Sequence, residues 1–187
     1  MDNLSDVNTA AQPIRGADDI AEQITAAFAS SERPAPDALR NDHCCECAET
    51  SDAYGGRPWT EISLQDILRG RETALLSATA WRYYLPAMMI WCIRAPDAVD
   101  VIQDNLVYQL EPPVEGRGVP EWFAERAAGF SDAQRAAIAA YLDWSRQREE
   151  AQWAPGTSPA TCTTRWNTGG HHGRKGASGL ATRSGPS

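Results

Sequence analysis

The chain has 187 residues, enough for one domain with a hydrophobic core of useful size. Its charge is uneven: residues 1–154 carry 13 Arg, no Lys and 25 acidic residues, a net charge of −12, whereas residues 155–187 carry a net charge of +4. An acidic body repels nucleic acid and anionic lipid, so we expect neither a nucleic acid nor a membrane as partner of the domain.

The N-terminal segment predicts a mobile leader in a cytoplasmic protein. Residues 1–16 are polar, contain a proline and lack hydrophobic periodicity. They have neither the positive region nor the apolar stretch of a secretory signal. The α-rich domain is therefore expected to occupy residues 17–154.

The first part of the domain predicts short helices joined by loops. Asp18 or Asp19 is expected to cap a helix with one apolar face. Residues 41–49 predict the first turns of a second helix. The glycines and proline of residues 54–58 then predict a loop.

A third helix is predicted after this loop. Ser63 precedes Asp66 by three residues, which resembles a capping box, and Gly70 is expected to close the helix. Trp59 and Ile62, just before the helix, are expected to anchor the loop onto the core.

Residues 77–94 predict the central helix of the core. Apolar residues cover all sides of this helix, as expected of a helix surrounded by protein. Pro86 predicts either a kink or a division into two helices. In both cases we expect the Arg82 guanidinium to lie beside the hydroxyls of Tyr83 and Tyr84. These three residues form a candidate recognition point, and the alternative is that they satisfy one another as buried polar groups.

Three more helices are expected after the central one. Asp97 is the expected cap of the first, which ends before Pro112. Pro120 opens a short second helix. Ser131 and Gln134 form a capping-box pattern at the start of the third helix, the longest of the chain.

Residues 155–187 predict a disordered basic tail. They contain seven of the fourteen glycines of the chain and no acidic residue. Their few apolar side chains do not offset the entropy lost on ordering, so we place the tail outside the domain.

Five consecutive residues have side chains that bind metals or act as nucleophiles. They are His43, Cys44, Cys45, Glu46 and Cys47. Thiolate and imidazole are the preferred ligands of zinc, and Cys44 and Cys47 form the C-x-x-C half of a tetrahedral site. The first interpretation is therefore a zinc site with ligands His43, Cys44 and Cys47. The sequence has no second C-x-x-C pair, so the remaining ligand would be Cys92, Glu46 or another carboxylate.

Two other interpretations of this cluster remain open. Thiols in the first turn of a helix ionise more easily, which favours redox or nucleophilic chemistry, although the acidic residues nearby oppose thiolate formation. Alternatively, the cysteines pack as small hydrophobic residues while His43 and Glu46 make local hydrogen bonds.

The chain resembles a family of small uncharacterised bacterial proteins that share a domain of unknown function. The motifs that carry this resemblance are Asp42-His43-Cys44-x-Glu46-Cys47, then Trp59, then Arg82-Tyr83-Tyr84-Leu85-Pro86-Ala87, and a terminal helix that begins Ser131-x-x-Gln134. The resemblance covers about residues 20–144 and implies no activity. It implies that two sets of residues belong to one surface or one polar centre, namely His43, Cys44, Glu46 and Cys47 with Arg82, Tyr83 and Tyr84.

The sequence predicts a mainly α fold, a compact single domain of about six or seven short helices around a proline-interrupted central helix. The expected function is that of a cytoplasmic, non-catalytic protein-interaction or regulatory module that recognises a protein partner through an acidic face. The alternative is a metal-dependent or thiol-dependent enzyme centred on His43, Cys44 and Cys47, in which Arg82 orients an anionic substrate. An enzyme should place this cluster and Arg82 in one concave pocket, whereas an interaction module need not.

Overall fold

The structure is a computed structural model that describes residues 16–40, 45–113 and 118–153. In these ranges the chain forms seven α-helices, and its β-pairing is one isolated bridge between Arg40 and Leu76. The α-helices are α1 (Ala17–Phe28), α2 (Cys45–Tyr54), α3 (Leu64–Arg69), α4 (Ala78–Arg94), α5 (Asp100–Leu110), α6 (Glu121–Ala127) and α7 (Asp132–Trp153). Four 3-10 turns join them, at Pro36–Ala38, Trp59–Glu61, Thr73–Leu75 and Pro96–Ala98. The predicted mainly α fold is confirmed.

The central helix α4 organises the core. It packs against α1, α3, α5 and α6, and 13 of its 17 residues are buried. Residues on all sides of the helix are therefore removed from water, as its uniformly apolar sequence predicts. Ser77 caps the helix, since its hydroxyl oxygen accepts a hydrogen bond from the Ala80 amide at 3.1 Å.

Helix α4 continues through Pro86 without division. The predicted alternative of two separate helices is therefore wrong. Proline removes one backbone hydrogen bond, and contacts from the helices packed around α4 hold the remaining turns together. This continuity fixes the angular positions of Arg82, Tyr83 and Tyr84 around one helix axis.

Two helices begin at other residues than the sequence predicts. In α1 the N-cap position belongs to Gly16, and Asp18 and Asp19 lie in the first turn, where carboxylates face the positive end of the helix dipole. Asp97 does not cap α5, because Pro96 starts a 3-10 turn that contains it and α5 begins three residues later. Instead, Asp97 accepts a hydrogen bond from Arg148 at 3.4 Å.

The predicted third helix and its boundaries are close to the structure. Ser63 and Asp66 form the capping box of α3, and Gly70 lies at its C-cap position. A Cβ atom at Gly70 would lie 2.7 Å from the Tyr54 ring and 2.9 Å from the Cβ atom of Ala53. Glycine is thus required where α3 meets α2, because a larger residue would collide with both.

The chain divides into two units by residue contacts, Met1–Glu150 and Ala151–Ser187. Of the second unit the structure describes only the last three residues of α7. The predicted leader, apart from Gly16, and the predicted tail both lie outside the described residues. Within those residues, no helix combines the length and the hydropathy that crossing a membrane demands.

Candidate functional site

The cysteine-rich cluster lies at the start of α2. Cys45 and Glu46 are exposed in the first turn, whereas Cys47 is buried. Cys47 is disulfide-bonded, and its partner is neither Cys45 nor Cys92, whose thiols are free. His43 and Cys44 lie outside the described residues.

The predicted zinc site stays a prediction. The described residues contain no group of three or more His, Cys, Asp or Glu side chains that is arranged to hold a metal ion. A sulfur atom in a disulfide is not a thiolate, so Cys47 does not fit a zinc ligand set in this oxidation state.

The second predicted cluster is divided between two sides of α4. The Arg82 guanidinium donates to the Glu125 carbonyl oxygen at 2.8 Å and to the Thr79 hydroxyl at 3.2 Å. The Tyr84 hydroxyl donates to the Arg57 carbonyl oxygen at 3.1 Å. Two residues along a helix are separated by roughly 200° around its axis, so Arg82 and Tyr84 face different neighbours. The prediction that the guanidinium lies beside both tyrosine hydroxyls is therefore wrong for Tyr84.

Arg82 and Tyr83 do share a cleft, but the cysteine cluster is not part of it. The cleft has a volume of about 140 Å³, and Glu32 and Gly129 also contribute to its lining. None of the described cluster residues of α2 lines it. Within the described residues, the structure thus does not bring the two predicted sets into one concave pocket.

Cys92, in the middle of the core, is not a reactive thiol. Burial raises the pKa of the Cys92 thiol to about 11, against smaller opposing effects of Tyr141 and Arg148. The thiol is therefore protonated at neutral pH, and the thiolate is the form that reacts with electrophiles. Cys92 packs as a small hydrophobic side chain.

A buried polar network that the sequence analysis did not single out connects α6, α5 and the 3-10 turn before α4. Arg126 is only 7% exposed. Its Nη1 donates to the Gln109 side-chain oxygen at 2.6 Å, and its Nη2 donates to the Ala74 carbonyl oxygen at 3.1 Å. The Gln109 amide in turn donates to the Thr73 hydroxyl at 3.2 Å. These bonds fix the guanidinium in one orientation.

Two indole rings flank the Arg126 guanidinium. Its central carbon lies 4.8 Å from the ring centroid of Trp81 and 5.7 Å from that of Trp122, within the range of cation–π attraction. Burial lowers the pKa of Arg126, and the charge of Glu125 opposes this effect. An arginine still keeps its proton in proteins, so a positive charge is held between two tryptophans.

Arg126 makes no ion pair with a carboxylate of the described residues. A guanidinium has five N–H donors, and the described hydrogen bonds use two of its terminal nitrogens once each. Burying a charge costs free energy unless the charge is paired. Arg126 therefore keeps N–H donors that no described hydrogen bond uses.

A cleft of about 390 Å³ opens beside this network, and we call it the aromatic cleft. Its lining is Arg71, Glu72, Thr73, Ala74, Ala78, Asn105, Tyr108, Gln109, Trp122, Glu125 and Arg126. Tyr108 and Trp122 are 71% and 39% exposed, and their rings stack with centroids 6.3 Å apart. Helices α5 and α6 thus hold two large aromatic rings side by side in contact with solvent.

A local signal for this site was present in the sequence. Trp122 and Arg126 are four residues apart on α6, and such residues lie on the same face of a helix. The burial of Arg126 could not be predicted from the sequence, because its hydrogen-bond partner Ala74 is 52 residues away in the chain. The site is formed by tertiary contacts that no local pattern specifies.

The fold and the clefts define an all-α domain with a solvent-exposed aromatic surface and a buried, unpaired arginine behind it. The model of a protein family described as Family of unknown function (DUF6714) matches residues 16–157, and the chain belongs to this family. This result confirms the expected membership in a family of unknown function. No curated protein and no solved structure matches the chain.

Proposed function

We propose that the domain is a non-catalytic protein-interaction module and that the aromatic cleft is its docking surface. The observation that carries this proposal is the exposure of the stacked rings of Tyr108 and Trp122. Tyrosine, tryptophan and arginine are the residues that dominate binding energy at protein interfaces. Arg126 behind Trp122 holds the indole in place, so the platform loses little conformational entropy when a partner binds.

The charges around the cleft favour a basic segment as partner. Glu72 and Glu125 line the cleft, and Glu121 is exposed on the same helix as Trp122. The exposed arginine of the lining, Arg71, lies 3.7 Å from Glu72, which partly neutralises it. A lysine or arginine side chain of the partner gains cation–π attraction on the aromatic rings and Coulomb attraction from the acidic rim.

Two parts of this proposal rest on the sequence. The location in the bacterial cytoplasm is included as an expectation from the family resemblance. The proposal includes a regulatory role, because a protein without catalytic activity acts by binding its partner. The metal-dependent or thiol-dependent enzyme is the weaker alternative, since none of the described cluster residues lines the cleft of Arg82 and the disulfide at Cys47 removes one thiolate from the zinc ligand set.

The experiment that tests the proposal is selection of a displayed library of random peptides on the full chain. We expect enrichment of peptides in which Arg or Lys recurs next to apolar residues. The affinity of these peptides should fall about tenfold or more in Trp122→Ala and should weaken as salt concentration rises. Fluorescence anisotropy of labelled peptides measures both effects.

Trp153→Ala is the matched control. Trp153 is 78% exposed and does not line the aromatic cleft, so its removal deletes an exposed indole elsewhere. Peptide affinity should be unchanged in this variant. Failure of the library to enrich any sequence, or equal binding by Trp122→Ala and the unaltered chain, would contradict the proposal.

A further inference from the structure

Another cavity shares Arg126 and Gln109 with the aromatic cleft, and we call it the apolar chamber. Its volume is about 240 Å³, and α4, α5, α6 and α7 all contribute to it. The large aliphatic and phenyl side chains of its lining are Leu110, Phe123, Phe130, Ile138 and Leu142. A ligand that fills the chamber must therefore have an apolar body.

Four side chains with polar atoms also line the chamber, and one of them is Arg135. Arg126 and Gln109 line both the aromatic cleft and the chamber. Trp81 lines the chamber as well, and its buried Nε1 has no hydrogen-bond partner among the described residues. This nitrogen is closed off from solvent, so the hydrogen bonds to a ligand are expected from Arg126 and not from Trp81.

We infer that the apolar chamber binds an amphipathic monocarboxylate, a molecule with one carboxylate and a hydrocarbon body of about eight carbons. The carboxylate accepts hydrogen bonds from the Arg126 guanidinium, and the hydrocarbon occupies the space between α5, α6 and α7. This inference does not rest on the proposed function, because it concerns a different cavity and needs no protein partner.

A carboxylate fits this position better than a phosphate. The planar fork of a guanidinium matches the two oxygens of one carboxylate. Arg135, the other cation of the lining, already donates to the Phe130 carbonyl oxygen and to Asp132. Glu125 lies near enough to affect the pKa of Arg126, so a dianion would be repelled more than a monoanion.

The test is calorimetric titration of the full chain with octanoate, below its micelle concentration. We expect one octanoate to bind per chain. Octanol, whose alkyl chain is one carbon longer and which carries no charge, should bind about tenfold or more weakly, and acetate should give no measurable heat. Octyl phosphate should bind more weakly than octanoate.

Two variants test the apolar wall and the guanidinium of the site separately. Ala139→Phe adds a ring to the chamber wall from an exposed position of α7, so the fold tolerates it and octanoate affinity should fall about tenfold or more. Arg126→Lys keeps the charge but removes the planar fork, and octanoate should bind it more weakly while octanol binds as before. Circular dichroism confirms that each variant folds.

Three results would overturn the inference. They are no heat with octanoate, equal affinity for octanoate and octanol, and unchanged octanoate binding by folded Ala139→Phe. A failure of the peptide selection leaves all three readouts unaffected, so the two proposals are distinguished by these measurements.

Discussion

At the residue scale, Asp66 links α3 to the loop before it through an ion pair. Its carboxylate lies 2.9 Å from Arg57 Nη2, and it accepts hydrogen bonds from the Ser63 amide at 2.9 Å and the Ser63 hydroxyl at 2.6 Å. Burial alone would raise the pKa of Asp66, but the hydrogen bonds from Arg57 and Ser63 outweigh it and lower the pKa to about 2. The ionised form is therefore stabilised in the folded chain.

This lowered pKa predicts a defined pH dependence for Asp66→Asn. An aspartate in the unfolded chain has a pKa of about 4, so the carboxylate stabilises the fold fully above about pH 5 and loses this effect as pH falls towards 2. Above pH 5 the variant should have a free energy of unfolding about 1–2 kcal/mol lower than the unaltered chain. The difference should shrink between pH 4 and pH 2, as urea titrations at each pH will measure.

The control for this prediction is Asp52→Asn, at an exposed position of α2. Its unfolding free energy should follow that of the unaltered chain across the same pH range. A difference for Asp66→Asn that is independent of pH would assign the loss to packing rather than to the charge of the carboxylate.

At the element scale, capping boxes specify where two helices begin. The Ser131 amide donates to the Gln134 side-chain oxygen at 3.0 Å, and the Gln134 amide donates to the Ser131 hydroxyl at 3.2 Å. The Gln134 side chain also donates to the Ser31 hydroxyl at 3.1 Å, which connects the start of α7 to the segment after α1. The box therefore contributes to tertiary structure as well as to α7.

We expect removal of this cap to lower the free energy of unfolding measurably. Ser131→Ala should lower the free energy of unfolding by about 1 kcal/mol, because the Gln134 amide loses its acceptor. Ser131→Asp should retain most of the stability, since a carboxylate accepts the same bond. Ser30→Ala, at an exposed position near the end of α1, is the comparison variant in the same urea titrations. Equal stability of Ser131→Ala and Ser30→Ala would refute a capping role.

The sequence correctly predicts those features of the helices that depend on residues close together in the chain. The capping boxes at Ser63 and Ser131 and the uniformly apolar α4 follow from side chains within a few residues of each other. The starts of α1 and α5 did not follow, because their N-cap positions are Gly16 and Val99, whose side chains make no capping hydrogen bond. At α5 the 3-10 turn that begins at Pro96 places the start of the helix beyond Asp97. Helix starts are thus predictable from local sequence only where a side chain makes the cap.

At the scale of the whole molecule, the candidate site is harder to predict from the sequence than the fold. The aromatic cleft combines Thr73, Ala74, Gln109 and Arg126, whose hydrogen bonds span 17 to 52 residues of sequence. In the sequence the cysteine cluster is the more conspicuous candidate, because chemistry-bearing residues stand side by side there. Arg126 has no such neighbours in the chain, and its significance comes from its burial and from the lack of an ion pair among the described residues.

The extent of the folded unit gives the last prediction. Helix α7 has its last buried residue at Ser145, and Arg148 donates to the Gln103 side-chain oxygen at 3.3 Å. Residues 151–153 are exposed. A chain that ends at Trp153 should therefore melt within about 2 °C of the full chain. A chain that ends at Leu142 should melt at least about 5 °C lower, because it lacks Ser145, Arg148 and the ring contact of Trp144 with Tyr141.

Scanning calorimetry with and without a reductant measures these melting temperatures and also separates the effect of the disulfide at Cys47. The composition of residues 155–187 does not support a packed core, so their removal should cost nothing under reducing conditions. A melting temperature several degrees lower for the chain ending at Trp153, with reductant present, would mean that those residues pack onto the domain and that their predicted disorder is wrong. A loss found only without reductant would assign the effect to the oxidised state of the cysteines.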